Sequence, residues 1–209
     1  SGQASFWSGN GGWRDAGNGV DVRYQDSAGL VSLNATTTEE LVALLSHLGV
    51  ESGRAETLAA RLFDYTDENI RRRFEGAERP AYRLRRRPAP TNSPLRSLEE
   101  ARNVLGWAEE ASLWRPDGLR RLATVHLRNT PTVRAFMPET LRAAISQKVS
   151  QTATKNLVGI GALGNTAPSS RARLTFRVGI DGAYGPRVLT RTIAIARRPD
   201  AADRPYYRT

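Results

Sequence analysis

The stretch RLTFRVGIDG at residues 173–182 alternates strictly, with Leu174, Phe176, Val178 and Ile180 apolar and their neighbours polar or small. A period of two puts those four side chains on one face of a β-strand. Asp181-Gly182 reads as a turn, and residues 188–196 supply a second alternating run in which Arg191 separates apolar positions. Far upstream, Val20, Val22 and Tyr24 alternate in the same way, Asp26-Ser27-Ala28-Gly29 reads as a turn, and Leu30-Val31-Ser32-Leu33 resumes an extended pattern, which makes a hairpin. These strands predict a sheet whose first and last parts are separated in sequence by a helical body. Its open edge is suited to taking up a strand from another chain. Pro205-Tyr206-Tyr207 is either an anchor against that sheet or an exposed aromatic patch for binding.

Between the strands the period changes. Thr36 with Glu39, or Thr37 with Glu40, forms a capping box, and Leu41, Leu44, Leu45 and Leu48 then share one helical face before Gly49 stops the turn. A second helix starts near Ser52 and carries Ala55, Leu58, Ala59, Leu62 and Phe63 on its apolar side. Neither helix is stable alone, so the two must pack together. Residues 83–90, rich in arginine and proline, read as an extended connection. Ser97 caps a helix through Leu98, Ala101, Val104 and Leu105 that Gly106 ends, and shorter helical pieces cover 108–113 and 117–122. Residues 123–127 return to the sheet, and Met137-Pro138-Glu139 opens a helix through Leu141, Ala144, Ile145 and Val149. Residues 159–170 form a loop whose GIGALG lacks the lysine of a phosphate-binding loop. The class is therefore α+β. Residues 1–19, glycine-rich with Trp7 and Trp13 as large anchors, form a lead-in; 20–34 and 123–209, with a helix near 137–156, form the antiparallel sheet portion; 35–122 form an inserted helical domain.

Composition removes several functions. Among 209 residues there is no cysteine, so no disulfide or thiolate metal site exists, and no apolar run is long enough to cross a bilayer. The Ser1-Gly2 start implies a trimmed chain with any signal or anchor helix upstream. The net charge of +10 comes mostly from arginine, which suits an anionic partner, although a basic surface that only keeps the chain soluble is the blander reading. The two histidines, His47 and His126, are far apart and lie in no catalytic motif, so zinc is disfavoured and no nucleophile has a base. Met137 reads as core packing. No catalytic residue is assigned, and Asp64 with Glu78 lacks any spacing that would fix an acid pair for hydrolysis.

A candidate site remains in residues 64–82, DYTDENIRRRFEGAERPAY. Asp64, Asp67, Glu68, Glu75 and Glu78 cluster carboxylate oxygens of the kind calcium needs. Asp64 and Asp67 fall one helical turn apart, and Glu78 returns to them through the turn at Gly76. The regular spacing of an EF-hand is missing. The competing reading is that the acids cap helices and pair with Arg71, Arg72, Arg73 and Arg79.

Taken in order, these landmarks resemble the K-class (GspK-like) minor pseudopilin of bacterial type II secretion systems. The resemblance rests on DSAGLVSLN at 26–34, LVALLSHLGV at 41–50, RLFDYTDEN at 61–69, Gly76-Ala77-Glu78, Tyr82, Asn92-Ser93-Pro94 before SLEEARNVLGW, HLRNTP at 126–131, and the closing runs RLTFRVGIDG and LTRTIAIARRP. It implies a pseudopilin sheet bearing a large helical domain, on a subunit anchored in the inner membrane by an N-terminal helix absent here, with this region in the periplasm. It implies a non-enzymatic role at the pseudopilus tip with the I- and J-class minor pseudopilins, where the subunit initiates or caps the filament that drives protein secretion. A large head explains tip placement, because it would clash with a subunit stacked above it. No small-molecule substrate is implied. Calcium is implied at Asp64, Asp67 and Glu78, with Glu68-Asn69 and the arginine run as departures from the family pattern. The rival from another class is a nucleic-acid-binding helix-hairpin-helix built on LLSHLGVESGRAETLA, with Arg71–Arg73 and Arg83–Arg87 meeting phosphates. That rival lacks the Gly-hydrophobic-Gly centre and leaves the terminal sheet unexplained.

Overall fold

The structure is a computed structural model that describes residues 9–127, 132–153, 171–182, 185–197 and 206–208. Two compact units emerge. One comprises Ser1–Leu30, Thr132–Glu139 and Ala162–Thr209; the other comprises Val31–Pro131 and Thr140–Gly161.

The first unit is built on an antiparallel sheet of β1 (Asn10–Asp15), β2 (Val20–Asp26), β5 (Arg171–Gly182), β6 (Gly185–Arg197) and β7 (Tyr206–Arg208), in the order β1-β2-β5-β6-β7. The early strand and the late hairpin meet as the alternation requires: Val22 lies opposite Phe176, Tyr24 opposite Leu174, and Leu174 opposite Ile193. The apolar set therefore shares one face, and a one-residue slip would transfer it to the other. On the opposite face Arg177 pairs with its cross-strand partner Asp21 at 2.7 Å, and the Trp13 ring receives the Arg23 and Arg177 guanidiniums at 4.8 and 4.5 Å. At the far edge β7 hydrogen-bonds to β6, with Tyr207 opposite Ala196.

Three expectations are corrected here. The lead-in is a strand over Asn10–Asp15, joined to β2 by a turn in which Gly17, Asn18 and Gly19 all take positive φ and the Ala16 N–H donates to Val20 O at 2.8 Å. No hairpin forms over 20–33, because Asp26 accepts the Ala28 N–H at 2.8 Å and caps a 3₁₀ turn, Ser27–Gly29. Gly29 is required there, since a Cβ would stand 1.9 Å from the Phe136 carbonyl oxygen. The Asp181-Gly182 turn is also displaced: Asp181 pairs with Pro186 and Gly182 with Gly185, so both still belong to the ladder.

In the second unit β3 (Val31–Ser32) pairs in parallel with β4 (Ala123–Thr124), so the segment at 123–127 returns to β3 and not to the large sheet. Asn34 extends this junction. Its amide nitrogen donates to Leu95 O and Val125 O at 2.9 and 2.8 Å, and its oxygen accepts the Leu95 N–H at 2.8 Å. Helix α1 (Thr38–His47) takes Thr37 as its cap, whose hydroxyl accepts the Glu40 N–H at 3.2 Å; the Glu40 carboxylate meets the Thr36 hydroxyl instead of closing the box. Gly49, at φ 92°, ends that helix, and α2 (Ser52–Thr66) begins with Glu51 accepting the Gly53 and Arg54 amides. Their facing leucines, Leu41, Leu44, Leu45, Leu58 and Leu62, are all fully buried, each worth roughly 1.5–3 kcal/mol of transfer free energy. Trp107 closes the core and donates its indole N–H to Leu58 O at 3.0 Å.

Beyond α2 the helices are shorter than their apolar patterns suggest. The connection expected to be extended from residue 83 begins inside α3 (Arg79–Leu84), which has Pro80 in its first turn. Ser97 accepts the Glu100 N–H at 3.2 Å, but the segment is a 3₁₀ helix, Glu99–Asn103, with Leu98 at its N-cap, stopped before Gly106 at φ 91°. The pieces expected at 108–113 and 117–122 are a 3₁₀ helix, Ala111–Trp114, and α4 (Leu119–Leu122). Helix α5 covers Glu139–Ala153, and the loop read at 159–170 lies outside the described residues, as do residues 1–8. Among the described residues no helix is long and apolar enough to cross a membrane.

Candidate functional site

The last turn of α2 and the first residues of α3 carry the candidate acids, and the loop between them folds back so that they converge. Asp64 sits on the inner face of α2 with no exposed surface, Asp67 is its C-cap, and Glu78 is the N-cap of α3 with 7% exposure. The loop's Arg73 reaches into this corner. Its backbone N–H meets both Asp64 carboxylate oxygens at 3.2 and 3.3 Å, its Nη1 donates to Asp64 Oδ1 at 3.0 Å, and the same nitrogen donates to Asp67 Oδ2. Gly76 completes the return because any Cβ there would lie 2.0 Å from Asp64 Oδ2.

One cation thus serves two carboxylates, and the third is left over. Glu78 Oε1 and Asp67 Oδ1 are buried without a hydrogen-bond partner. Burial raises the Glu78 pKa, the Asp64 and Asp67 charges raise it further, and the Arg79 amide and Arg73 only partly oppose them. The Arg73 guanidinium is held charged chiefly by its hydrogen bond to Asp67. Orphaned, buried carboxylate oxygens are costly unless paired, and oxygens of this kind are what a hard cation takes as ligands. Among the described residues, however, no group of three or more acidic, histidine or cysteine side chains is already arranged around one metal position.

Of the four arginines weighed as partners for these acids, only Arg73 takes that place. Arg71 donates its backbone amide to Asn69, and Glu68 and Glu75 are exposed and stand outside the corner. Both histidines are also exposed. Reasoning from sequence passes over Tyr65 and names Tyr82 only as a landmark; the two are buried with ring centroids 6.1 Å apart beneath the acids, Tyr82 accepts the Leu105 amide, and burial pushes its hydroxyl up to about 12. The apolar pattern of α2 skips Tyr65 only because tyrosine is not counted with the aliphatic set.

Residues 23–113, which run from β2 through the acidic corner to the 3₁₀ helix at Ala111–Trp114, match the family described as type II secretion system (T2SS), protein K. Over this stretch, a little under half of its 209 residues, the chain is similar to protein K. Among solved structures, the chain is similar to a chain of the GspK-GspI-GspJ complex from the type 2 secretion system of enterotoxigenic Escherichia coli. The likeness has a TM-score of 0.56 at 19% identity and covers 97% of this chain and 82% of that one, which shows a shared fold of mixed helices and antiparallel sheet. No curated protein matches the sequence.

Proposed function

We propose that this K-like chain acts at the pseudopilus tip, where it initiates or caps assembly together with I- and J-class minor pseudopilins during type II protein secretion. The observation that carries this reading is the match to protein K over residues 23–113, because that stretch holds most of the second unit, the part that distinguishes this chain from a bare pseudopilin sheet. The similar solved chain comes from a complex of GspK with GspI and GspJ, which supports the choice of partners. On this reading the second unit is the inserted helical head, its bulk stops further stacking, and the protein works by assembly and not by catalysis. The region lies in the periplasm, on a subunit held in the inner membrane by a helix preceding it.

Calcium belongs to the same proposal. Asp64, Asp67 and Glu78 would hold it, and the ion would supply charge neutralisation where Asp67 Oδ1 and Glu78 Oε1 lack partners, tying the end of α2 to the start of α3. Reconstitution with I- and J-class partners, in calcium and in chelator, tests both parts. A ternary complex is expected, along with a higher melting temperature in calcium. Failure to form the complex in either condition would sink the assembly role; unchanged melting would sink the calcium site alone.

A further inference from the structure

The second unit also carries a concentration of the opposite charge. Between residues 70 and 87 the sequence places eight arginines against two glutamates, one of which, Glu78, is buried in the acidic corner. Most of these arginines lie on the surface, as a solvated basic face would have them. Arg73 enters the acidic corner, Arg87 pairs with Glu109, and two others, although exposed, border a cavity. Arg72 and Arg85, from the loop and from the end of α3, line a cavity of about 230 Å³ whose third cationic wall is Arg61 of α2, with Phe74, Glu75 and Leu105 among its other lining residues.

Arg61 is the residue that makes this a site. It is half-buried, its Nη1 donates to Leu105 O at 3.3 Å, and its Nε is enclosed without any hydrogen-bond partner. Burial, followed by the Arg54 and Arg85 charges, works against its positive charge, and only Glu75 and Tyr82 favour it. Yet Glu75 forms no ion pair with any of the three arginines among the described residues, whereas nearby Arg54 is matched by Glu110 at 2.8 Å and Arg87 by Glu109 at 2.8 Å. Three guanidiniums around one cavity, with an enclosed donor and no carboxylate paired to them, leave the position of an acceptor unfilled. Planar guanidinium forks match the paired oxygens of carboxylate and phosphate.

We propose that the Arg61–Arg72–Arg85 cavity binds a single oxyanion, a phosphate or a carboxylate. This inference is independent of the secretion reading, since it needs only the second unit's own geometry. It differs from a general basic surface in requiring these three arginines and not their neighbours.

The test is NMR of the full chain, following the Arg61 Nε–Hε resonance while inorganic phosphate and, in a separate arm, N-acetylglutamate are added at constant ionic strength. A saturable shift is expected in at least one arm. Arg85→Gln should weaken binding about tenfold, and Arg83→Gln, on the exposed side of α3, by less than about twofold. Amide spectra of the variants establish that each is folded. Tighter binding of phosphate assigns the cavity to a free or lipid-borne phosphate; tighter binding of N-acetylglutamate assigns it to an acidic side chain of a protein partner. Absence of saturation in both arms, or equal weakening by Arg83→Gln and Arg85→Gln, would overturn the proposal.

Discussion

The interior of the helical unit is mostly aliphatic and aromatic, with Ser32, Asp64, Glu78 and Thr124 as buried polar exceptions: Leu41, Leu44, Leu58, Leu62, Tyr65, Trp107 and Leu113 are all sealed from water. Several of the enclosed positions of the sheet unit are instead polar, namely Gln25, Asp26, Ser27 and Thr175, while large residues of β6 such as Val188 and Leu189 remain 64% and 60% exposed. Gln25 Nε2 lies within hydrogen-bond reach of the Gly9, Asp26 and Phe136 carbonyls, and Thr175 meets Thr192 across the strands at 3.0 Å. One unit is therefore specified mainly by side-chain volume, the other mainly by its ladder and a few satisfied polar groups. Deleting apolar volume should hurt the first far more than the second.

The widest gap is expected between Leu58→Ala and Leu189→Ala. Leu58 is fully enclosed beneath Trp107, and its truncation should cost about 2–5 kcal/mol in denaturant unfolding of the chain. Leu189→Ala, on an exposed stretch of β6, should stay within about 0.5 kcal/mol. Equal losses would break the comparison. Next come the glycines against which each unit packs something tightly. Gly29→Ala drives a Cβ into the Phe136 carbonyl, which cannot move without its backbone, whereas Gly76→Ala drives one into the Asp64 carboxylate, a side chain. Both should destabilise by roughly 1–3 kcal/mol, with Gly29→Ala the larger, and a smaller effect at Gly29 would mean that the sheet unit yields more easily than its ladder suggests. Thr37→Ala should then cost about 1 kcal/mol by freeing the Glu40 amide, read from the same unfolding curves.

What the sequence disclosed follows the same division. The aliphatic period of α1 and α2 was legible because each helix carries its own evidence, with caps, a stripe and a glycine stop all within a few turns. The pairing of β2 with β5 was legible because both alternate, and alternation fixes which faces agree. The β3–β4 pair was not, since a parallel contact between Val31 and Ala123 leaves no local mark, and the preceding Asp26 cap looks like a hairpin turn until its partner is known. The strand at Asn10–Asp15 hid behind its glycines, although Asn18-Gly19 ahead of an alternating run was a usable hairpin signal. At the candidate site the convergence of Asp64, Asp67 and Glu78 followed from the Gly76 return. The choice of Arg73 out of a run of three could not, because Arg71, Arg72 and Arg73 are chemically identical and only the loop's path decides which one points inward.

The smallest effect is also the one that bears most directly on the acidic corner. Burial and two neighbouring carboxylates raise the Glu78 pKa above its ordinary 4.5, so between that value and the raised one the folded chain holds a proton there that the unfolded chain has released. With more protons bound in the folded state, stability falls as pH rises from near 4.5 through the raised value, and it is restored on acidification across the same window. Glu51 contributes in the opposite sense, because its capping bonds to Gly53 and Arg54 hold its carboxyl low and its stabilisation fades as pH falls. Comparing Glu78→Gln with the parent chain in chelator cancels the Glu51 contribution. Thermal melts should then show the parent losing ground to the variant as pH rises through that window, and a constant difference across it would mean that Glu78 is not pressed by Asp64 and Asp67. Calcium should abolish the parent's loss, because a cation beside Glu78 favours the ionised carboxylate, whereas Glu78→Gln should show a weaker response to the ion.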